Sequence, residues 1–296
     1  MTRQATSTEL RNPRTLAIDE YDTERVLDLL FAEDALAVRA ASRAAGEVAR
    51  AVDAAQTRME RGGRVHYFGA GTSGRLAVLD ATEISPTFGV GEQLFVAHFP
   101  GGWTGLVDST VDLEDSEDLG HADAAEMTAD SVAFGVTASG STAYVAGALR
   151  RSREIGALSM LLTCNPNAPL RDIADICIVA DTGPEAITGS TRLKAGTATK
   201  VILNAFSTAL MIRSGRTYSN LMVGLRATNN KLRERAIAIL MEATGRARPD
   251  CEVALHDADG RVEVALLVLS TGCSLAAAQS ALDSEVTVRA ALRVLG

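Results

Sequence analysis

Between residues 65 and 180 the chain repeats one unit, a short β-rich run followed by a small-residue loop or a helix-period stretch. No other feature constrains the fold as tightly. The β-rich runs are Val65–Phe68, Leu94–His98, Val132–Thr137, Leu158–Thr163 and Ile176–Ala180. Helical patterns separate most of them, notably Gly74–Ala81 and Thr142–Glu154, and a long one runs from about Ile187 to Ile212. Strands that alternate with helices predict an α/β fold, a parallel sheet covered on both faces.

The flanks are helical. Residues 22–60 carry apolar positions at helical spacing among Ala, Glu and Arg and stop at Gly62-Gly63, which predicts two helices ahead of the sheet. From Asn230 the pattern is helical again, with Gly245 as a helix stop. The tail, about 246–296, reads as a small bundle built from Val253–Leu255, Val262–Leu269, Leu275–Leu282 and Val286–Leu295. The expected division is therefore an N-terminal helical segment (1–48), a central α/β domain (49–229) and a C-terminal helical bundle (230–296).

Composition narrows the function. A formal net charge of -8 argues against a nucleic-acid surface, which needs clustered surplus Lys and Arg. It leaves room for a phosphate ligand, which backbone N–H groups and hydroxyls can hold. The four cysteines, Cys164, Cys177, Cys251 and Cys273, are widely spaced and fit reduced thiols. The first residues lack the apolar core of a signal peptide, and no run reaches the roughly 18–20 apolar residues of a spanning helix. The expectation is a soluble, cytoplasmic protein with no membrane partner. Asp257 to Gly260 superficially suggests a calcium loop but lacks the remaining ligand positions, so a plain turn is expected.

Gly69 to Gly74 reads GxGxxG, follows a strand and opens a helix. That pattern suggests a dinucleotide site, which would need an acidic residue at the end of the second strand. Here Leu94–His98 is followed by Phe99 and Pro100, and the nearest acid, Glu92, precedes the strand. Gly71, Thr72 and Ser73 instead offer a small-residue turn with hydroxyls suited to a phosphomonoester. A second loop repeats the theme. After Val132–Thr137 come Ala138, Ser139, Gly140, Ser141 and Thr142, then a helix. Ser141 or Thr142 could simply cap that helix. Two hydroxyl-rich loops, each at a strand's C-terminal end where ligands of open α/β sheets bind, favour a phosphate site.

Candidate acids and bases lie nearby in sequence. Glu83 stands between the first loop and Pro86. Glu114 falls in the acidic run Asp112–Asp118, which by itself reads as a solvated helix face. The stretch Gly183–Lys200 mixes Gly, Ser and Thr with Glu185, Ser190, Arg192 and Lys194, more small polar residues than helix capping explains. That excess suggests close packing and polar ligation. His66, in an apolar strand, reads as a core residue.

These segments resemble one family. Phe68–Leu76, Glu83 with Ser85–Gly89, Glu114–Ser116, Ala138–Gly140, Cys164–Pro166, Glu185–Lys200, Asn220–Val223, Ala227–Asn229 and the opening Thr8–Pro13 are similar to the N-acetylmuramic acid 6-phosphate etherases. The likeness covers nearly the whole chain and weakens only in the tail. It implies a sugar isomerase (SIS) domain, a three-layer α/β/α sandwich with a five-stranded parallel sheet, and a small C-terminal bundle of ubiquitin-associated (UBA-like) type. It also implies a homodimer with shared active sites and a sugar-phosphate ligand, and no metal or organic cofactor. The implied reaction releases D-lactate from N-acetylmuramic acid 6-phosphate and leaves N-acetylglucosamine 6-phosphate. The family's catalytic glutamates map onto Glu83, assigned as the acid at the lactate oxygen, and Glu114, assigned as the base at carbon 2. Gly71, Thr72, Ser73, Ser139, Ser141, Thr142, Glu185, Ser190 and Lys194 are the expected substrate and phosphate contacts.

Several positions depart from the family pattern. Ser141 stands where Arg is usual, Ala143 where Pro is usual and Val111 where Glu is usual; Ser219 and Gly224 replace the usual Gly and Asp. An aldose–ketose isomerase or a non-catalytic sugar-phosphate-binding regulator on the same fold are the competing readings. An isomerase also needs a base at carbon 2, but needs no acid at the carbon 3 oxygen.

Overall fold

The computed structural model describes residues 7–108, 113–225, 229–285 and 287–296. They form two compact units, one of residues up to Thr82 with Gln93–Ser207, the other of Glu83–Glu92 with Thr208–Gly296. Helix α3 (Gly71–Phe88) and helix α7 (Lys194–Arg213) each run through a cut between the units.

The first unit opens with α1 (Thr23–Arg43), capped by Asp22, whose carboxylate accepts from the Arg25 amide, and α2 (Ala45–Met59). Five strands follow: β1 (Val65–Gly69), β2 (Phe95–His98), β3 (Val132–Val136), β4 (Leu158–Thr163) and β5 (Ile176–Val179). They pair in the order β2-β1-β3-β4-β5, all parallel. Helices α4 (Gly102–Val107), α5 (Glu117–Asp123) and α6 (Ala143–Glu154) complete this unit with the first parts of α3 and α7. The three central strands are buried along their whole length, as strands of a parallel sheet covered on both faces should be.

Both faces of β1 are lined by aromatic rings. On one, Tyr67 and Phe134 meet edge to face at 5.6 Å, and Phe134 meets Phe206 of α7 at 4.9 Å. On the other, His66, His98 and Phe68 stack, and Phe68 joins Tyr144, Val145, Leu149 and Leu161 in the core. Burying each such large apolar side chain stabilises the fold by roughly 1.5–3 kcal/mol. Gly135 in β3 makes α6 fit, because a Cβ there would lie 2.5 Å from a Val145 methyl.

The second unit holds a hairpin, β6 (Thr217–Tyr218) with β7 (Leu221–Met222), and five helices among its described residues. These are α8 (Asn230–Thr244), α9 (Arg248–Asp257), α10 (Val262–Thr271), α11 (Leu275–Ser284) and α12 (Val288–Leu295). Their core contains Val223, Leu225, Ile237, Leu240, Leu255 and Leu266. Asn229 caps α8 through the Leu232 amide, and Gly245 ends it in the left-handed conformation expected of a helix stop. The Asp257–Gly260 segment closes as a turn, with the Gly260 amide on the Leu255 carbonyl. Val286, read as the start of the last helical stretch, lies outside the described residues.

The five strands and the flanking helices fall where the sequence places them. Three elements differ. Helix α3 starts at Gly71 and continues to Phe88, well beyond Gly74–Ala81. Helix α7 begins at Lys194, not near Ile187, because residues 187–193 form hydrogen-bonded turns that precede it. The acidic run is no helix face over its described first part: Leu113–Asp115 lie ahead of Ser116, whose side chain caps α5.

Candidate functional site

The first loop leaves β1 at Gly69 and turns directly into α3. Gly71 has φ +54°, a conformation that costs a residue with a Cβ. Gly69 and Gly74 touch, since a Cβ on Gly74 would fall 2.3 Å from the Gly69 carbonyl oxygen. The Gly74 amide bonds to the Ala70 carbonyl at 3.0 Å. The amides of Gly71, Thr72 and Ser73 are thus first-turn donors with no acceptor in their own helix, and all three residues are half-buried. Such a turn favours an anion through its donors and the helix dipole.

Glu114 reaches this turn. An ideal Cβ built on Gly71 lies 4.0 Å from Glu114 Oε2, and the Glu114 residue is exposed. Its backbone carbonyl accepts from the Tyr144 amide at 3.0 Å in the first turn of α6. What holds the segment is a tight crossing of α5 on α6. A Cβ on Gly120 would lie 1.8 Å from the Tyr144 carbonyl oxygen, and one on Gly147 would lie 1.9 Å from that of Glu117. The Tyr144 hydroxyl also donates to Asp123 at 2.6 Å, and burial with that carboxylate raises the phenol well above its ordinary range. Val111, the departure just ahead of Glu114, lies outside the described residues.

The second loop is a chain of hydroxyls. Thr137 Oγ1 lies 2.8 Å from Thr142 Oγ1 and 3.3 Å from Ser139 Oγ, while Ser141 Oγ donates to Ser139 Oγ at 3.0 Å. Thr142 occupies the cap position of α6 without a side-chain cap bond, so the capping explanation does not account for its hydroxyl. Asn165 Nδ2 donates to the Ser139 carbonyl at 2.8 Å, and Thr163 Oγ1 donates to that of Ala138 at 3.1 Å. Thr137 and Asn165 join this loop beyond the residues that the sequence marks, although Asn165 sits in a recognisable Cys-Asn-Pro run. Ala143 is the first residue of α6, where the family's usual Pro would fit with its φ preset.

The 183–200 stretch behaves differently. Glu185 is fully buried, and its two carboxylate oxygens accept from the Lys194 and Ala195 amides at 2.9 Å each, which is what starts α7. Burial raises the Glu185 carboxyl above its ordinary range, against the pull of those two amides. Lys194 is also 0% exposed, and its ammonium donates to Glu33 Oε2 at 2.5 Å. Burial alone would raise Glu33; hydrogen bonds from Arg14, Lys194 and Asn12 outweigh it and hold the carboxyl at about 2. The expected substrate contacts Glu185 and Lys194 are therefore both engaged with the protein, while Ser190 is half-buried in the turn before α7.

Glu83 belongs to the second unit, exposed on α3. The chain at the end of α3 is closely packed. Ser85 Oγ donates to the Val90 carbonyl at 2.8 Å, and a Cβ on Gly89 would lie 1.7 Å from the Gly224 carbonyl oxygen. A Cβ on Gly224 would lie 2.3 Å from that of Phe88, so the usual Asp cannot enter without a backbone shift. Ser219, in the hairpin turn, takes φ +54°, which suits the Gly usual at that position. Among the described residues no group of three or more His, Cys, Asp and Glu side chains could hold a metal ion.

Two domain models match the chain. The model described as "Glucokinase regulatory protein N-terminal SIS domain" matches residues 47–153, and the one described as "SIS domain" matches 104–209. The N-acetylmuramic acid 6-phosphate etherase of Thermobifida fusca is 53% identical over 89% of this chain and 87% of its own. That of Enterobacter sp. is 43% identical over 96% of this chain and 97% of its own. A phosphoheptose isomerase structure from Francisella tularensis superposes with a TM-score of 0.50 at 17% identity, covering 63% of this chain and 98% of that one. At that identity the likeness shows the fold.

Proposed function

Since the chain belongs to the N-acetylmuramic acid 6-phosphate etherase family, we propose that it cleaves the lactyl ether of N-acetylmuramic acid 6-phosphate as a carbon–oxygen lyase. The observation that carries the reading is identity of 53% across 89% of the chain, with Glu114 at the first glycine turn as its structural counterpart. The products are N-acetylglucosamine 6-phosphate and D-lactate.

The chemistry requires two carboxyl groups. An ether oxygen is a poor leaving group, so direct displacement is slow. Ring opening places an aldehyde at carbon 1 and makes the proton on carbon 2 acidic. Glu114 takes that proton, and the electron pair left on carbon 2 forms the carbon 2–carbon 3 double bond. Lactate leaves from carbon 3 as Glu83 protonates its ether oxygen. Water then adds to carbon 3, and the proton returns to carbon 2. Each general acid or base contributes on the order of 10²–10⁴-fold when correctly placed.

The phosphate is read as lying between the first-turn amides and hydroxyls of Gly71–Ser73 and the Ser139–Thr142 hydroxyls. Ser190 is a further contact, and Glu185 and Lys194 support the residues around the ligand, in keeping with their burial. A homodimer with shared sites, acting in the cytoplasm, completes the proposal. Incubation of the purified protein with N-acetylmuramic acid 6-phosphate should release D-lactate in step with N-acetylglucosamine 6-phosphate. Formation of a ketose without lactate would point to the isomerase reading, and binding without turnover to the regulator.

A further inference from the structure

The polar stretch before α7 is tied down by residues that precede the sheet domain. The Gly189 amide donates to the Thr8 carbonyl at 3.1 Å, Asn12 Nδ2 to that of Pro184 at 3.2 Å, and Thr15 Oγ1 to that of Ala186 at 2.8 Å. Helix α1 adds two ties to the first turn of α7. Glu33 receives the Lys194 ammonium, and Asp34 Oδ1 accepts from Thr197 Oγ1 at 3.1 Å. Glu33 is itself fixed, taking Asn12 Nδ2 at 2.8 Å and Arg14 through Nε at 2.5 Å and a second nitrogen at 3.0 Å.

That first turn of α7 runs beside the Thr72 turn. An ideal Cβ on Gly196 would lie 3.6 Å from the Thr72 Cγ2 methyl and 4.0 Å from Leu76 Cδ1. Gly196 thus leaves the first turn of α7 no more than a methyl group's space from Thr72, so a shift of α7 there alters the packing of that turn. Glu33 is 3% exposed and Lys194 0%, so neither carries a solvated charge that could relax by turning to water. Residues 8–34 lie ahead of both matched SIS regions, yet their side chains and backbone fix the loop and helix beside the site.

We infer that Thr8–Asp34 is a clamp for the sugar-phosphate site, in which Glu33 is a positioning residue acting through Lys194 and the first turn of α7 on the Thr72 turn. The inference rests on the sugar-phosphate reading above. It makes the N-terminal segment part of the ligand-binding apparatus without assigning it any contact with the ligand.

Glu33→Gln and the milder pair Thr15→Val and Asn12→Ala test it, with Leu255→Ala in α9 as a control that weakens the core of the second unit. The readouts are the Kd of N-acetylglucosamine 6-phosphate by calorimetry, KM and kcat for lactate release, and Tm. A displaced first turn should weaken ligand binding and raise KM about tenfold in Glu33→Gln, with a smaller rise in the milder variants and kcat within about threefold of wild type. Leu255→Ala should lower Tm and leave Kd unchanged. Wild-type Kd in the folded clamp variants, or equal weakening in the control, overturns the inference. If Glu33→Gln does not fold, the milder pair decides. A wild type that binds the sugar phosphate yet releases no lactate refutes the etherase reading alone, because Kd still reads the clamp. A wild type that binds neither the sugar phosphate nor inorganic phosphate overturns both.

Discussion

The loop at Ser139–Thr142 and the stretch at Glu185–Lys194 look alike in sequence, both rich in small and hydroxyl-bearing residues where a helix begins. In three dimensions they part. The hydroxyls of the loop are half-buried and bonded mainly to one another. In the stretch, Glu185 and Lys194 are fully buried and bound to fixed protein partners, while Arg192 is exposed. A hydroxyl chain can re-orient its protons to meet an anion, whereas a buried carboxylate holding two helix amides cannot leave them without leaving those donors unpaired. Polar composition in a glycine-rich segment therefore signals order; what each group already bonds decides whether it meets a ligand or supports one.

That contrast can be broken by substitution. The largest effect is expected at Glu114, exposed beside Gly71, where Glu114→Gln should cut lactate release by about 10²–10⁴-fold with Tm almost unchanged. Glu33→Gln should do the reverse to stability, costing about 3–5 kcal/mol in denaturant unfolding because the Lys194 ammonium loses the carboxylate to which it donates. Equal effects on Tm from the two variants would erase the distinction between ligand-facing and supporting polar groups.

Titration sharpens it further. Burial, then the neighbouring His98 and Arg64, pull the His66 imidazole from its ordinary 6.5 to about 4. Between those values the unfolded chain binds a proton that the folded chain excludes, so stability falls as pH drops from about 6.5 to 4. The loss is about 3 kcal/mol and is complete below pH 4. His66→Phe should flatten that part of the stability–pH curve, and an unchanged slope would mean that another group is responsible. In the second loop, Ser139→Ala removes hydroxyl partners of Thr137 and Ser141. It should weaken N-acetylglucosamine 6-phosphate binding by about 1–2 kcal/mol in calorimetry, with little change in Tm. The smallest effect concerns Ser219: relieving its positive φ by Ser219→Gly should raise stability by roughly 0.5–1 kcal/mol.

The sheet was legible because β-rich apolar runs and helix-period stretches alternate cleanly through residues 65–180. The start of α7 was not, because its signal is a carboxylate, Glu185, nine residues upstream of the amide that it caps and outside any local capping pattern. The α5–α6 crossing was equally hidden. Gly120 and Gly147 look like ordinary glycines until the two helices are seen to leave no room for a Cβ. The tight glycine turn of the first loop could be read, since glycine spacing is a local property. The partner of Lys194 could not, because Glu33 lies 161 residues away.

The division of labour between the two glutamates is the most direct measure of the proposed mechanism. Glu83→Gln and Glu114→Gln should each be incubated with substrate, and with N-acetylglucosamine 6-phosphate in deuterated water, following lactate and exchange at carbon 2. The account predicts that Glu83→Gln stops lactate release yet still exchanges the carbon 2 proton of the product sugar, while Glu114→Gln suppresses both. Exchange lost in Glu83→Gln and retained in Glu114→Gln would contradict it and reverse the two roles.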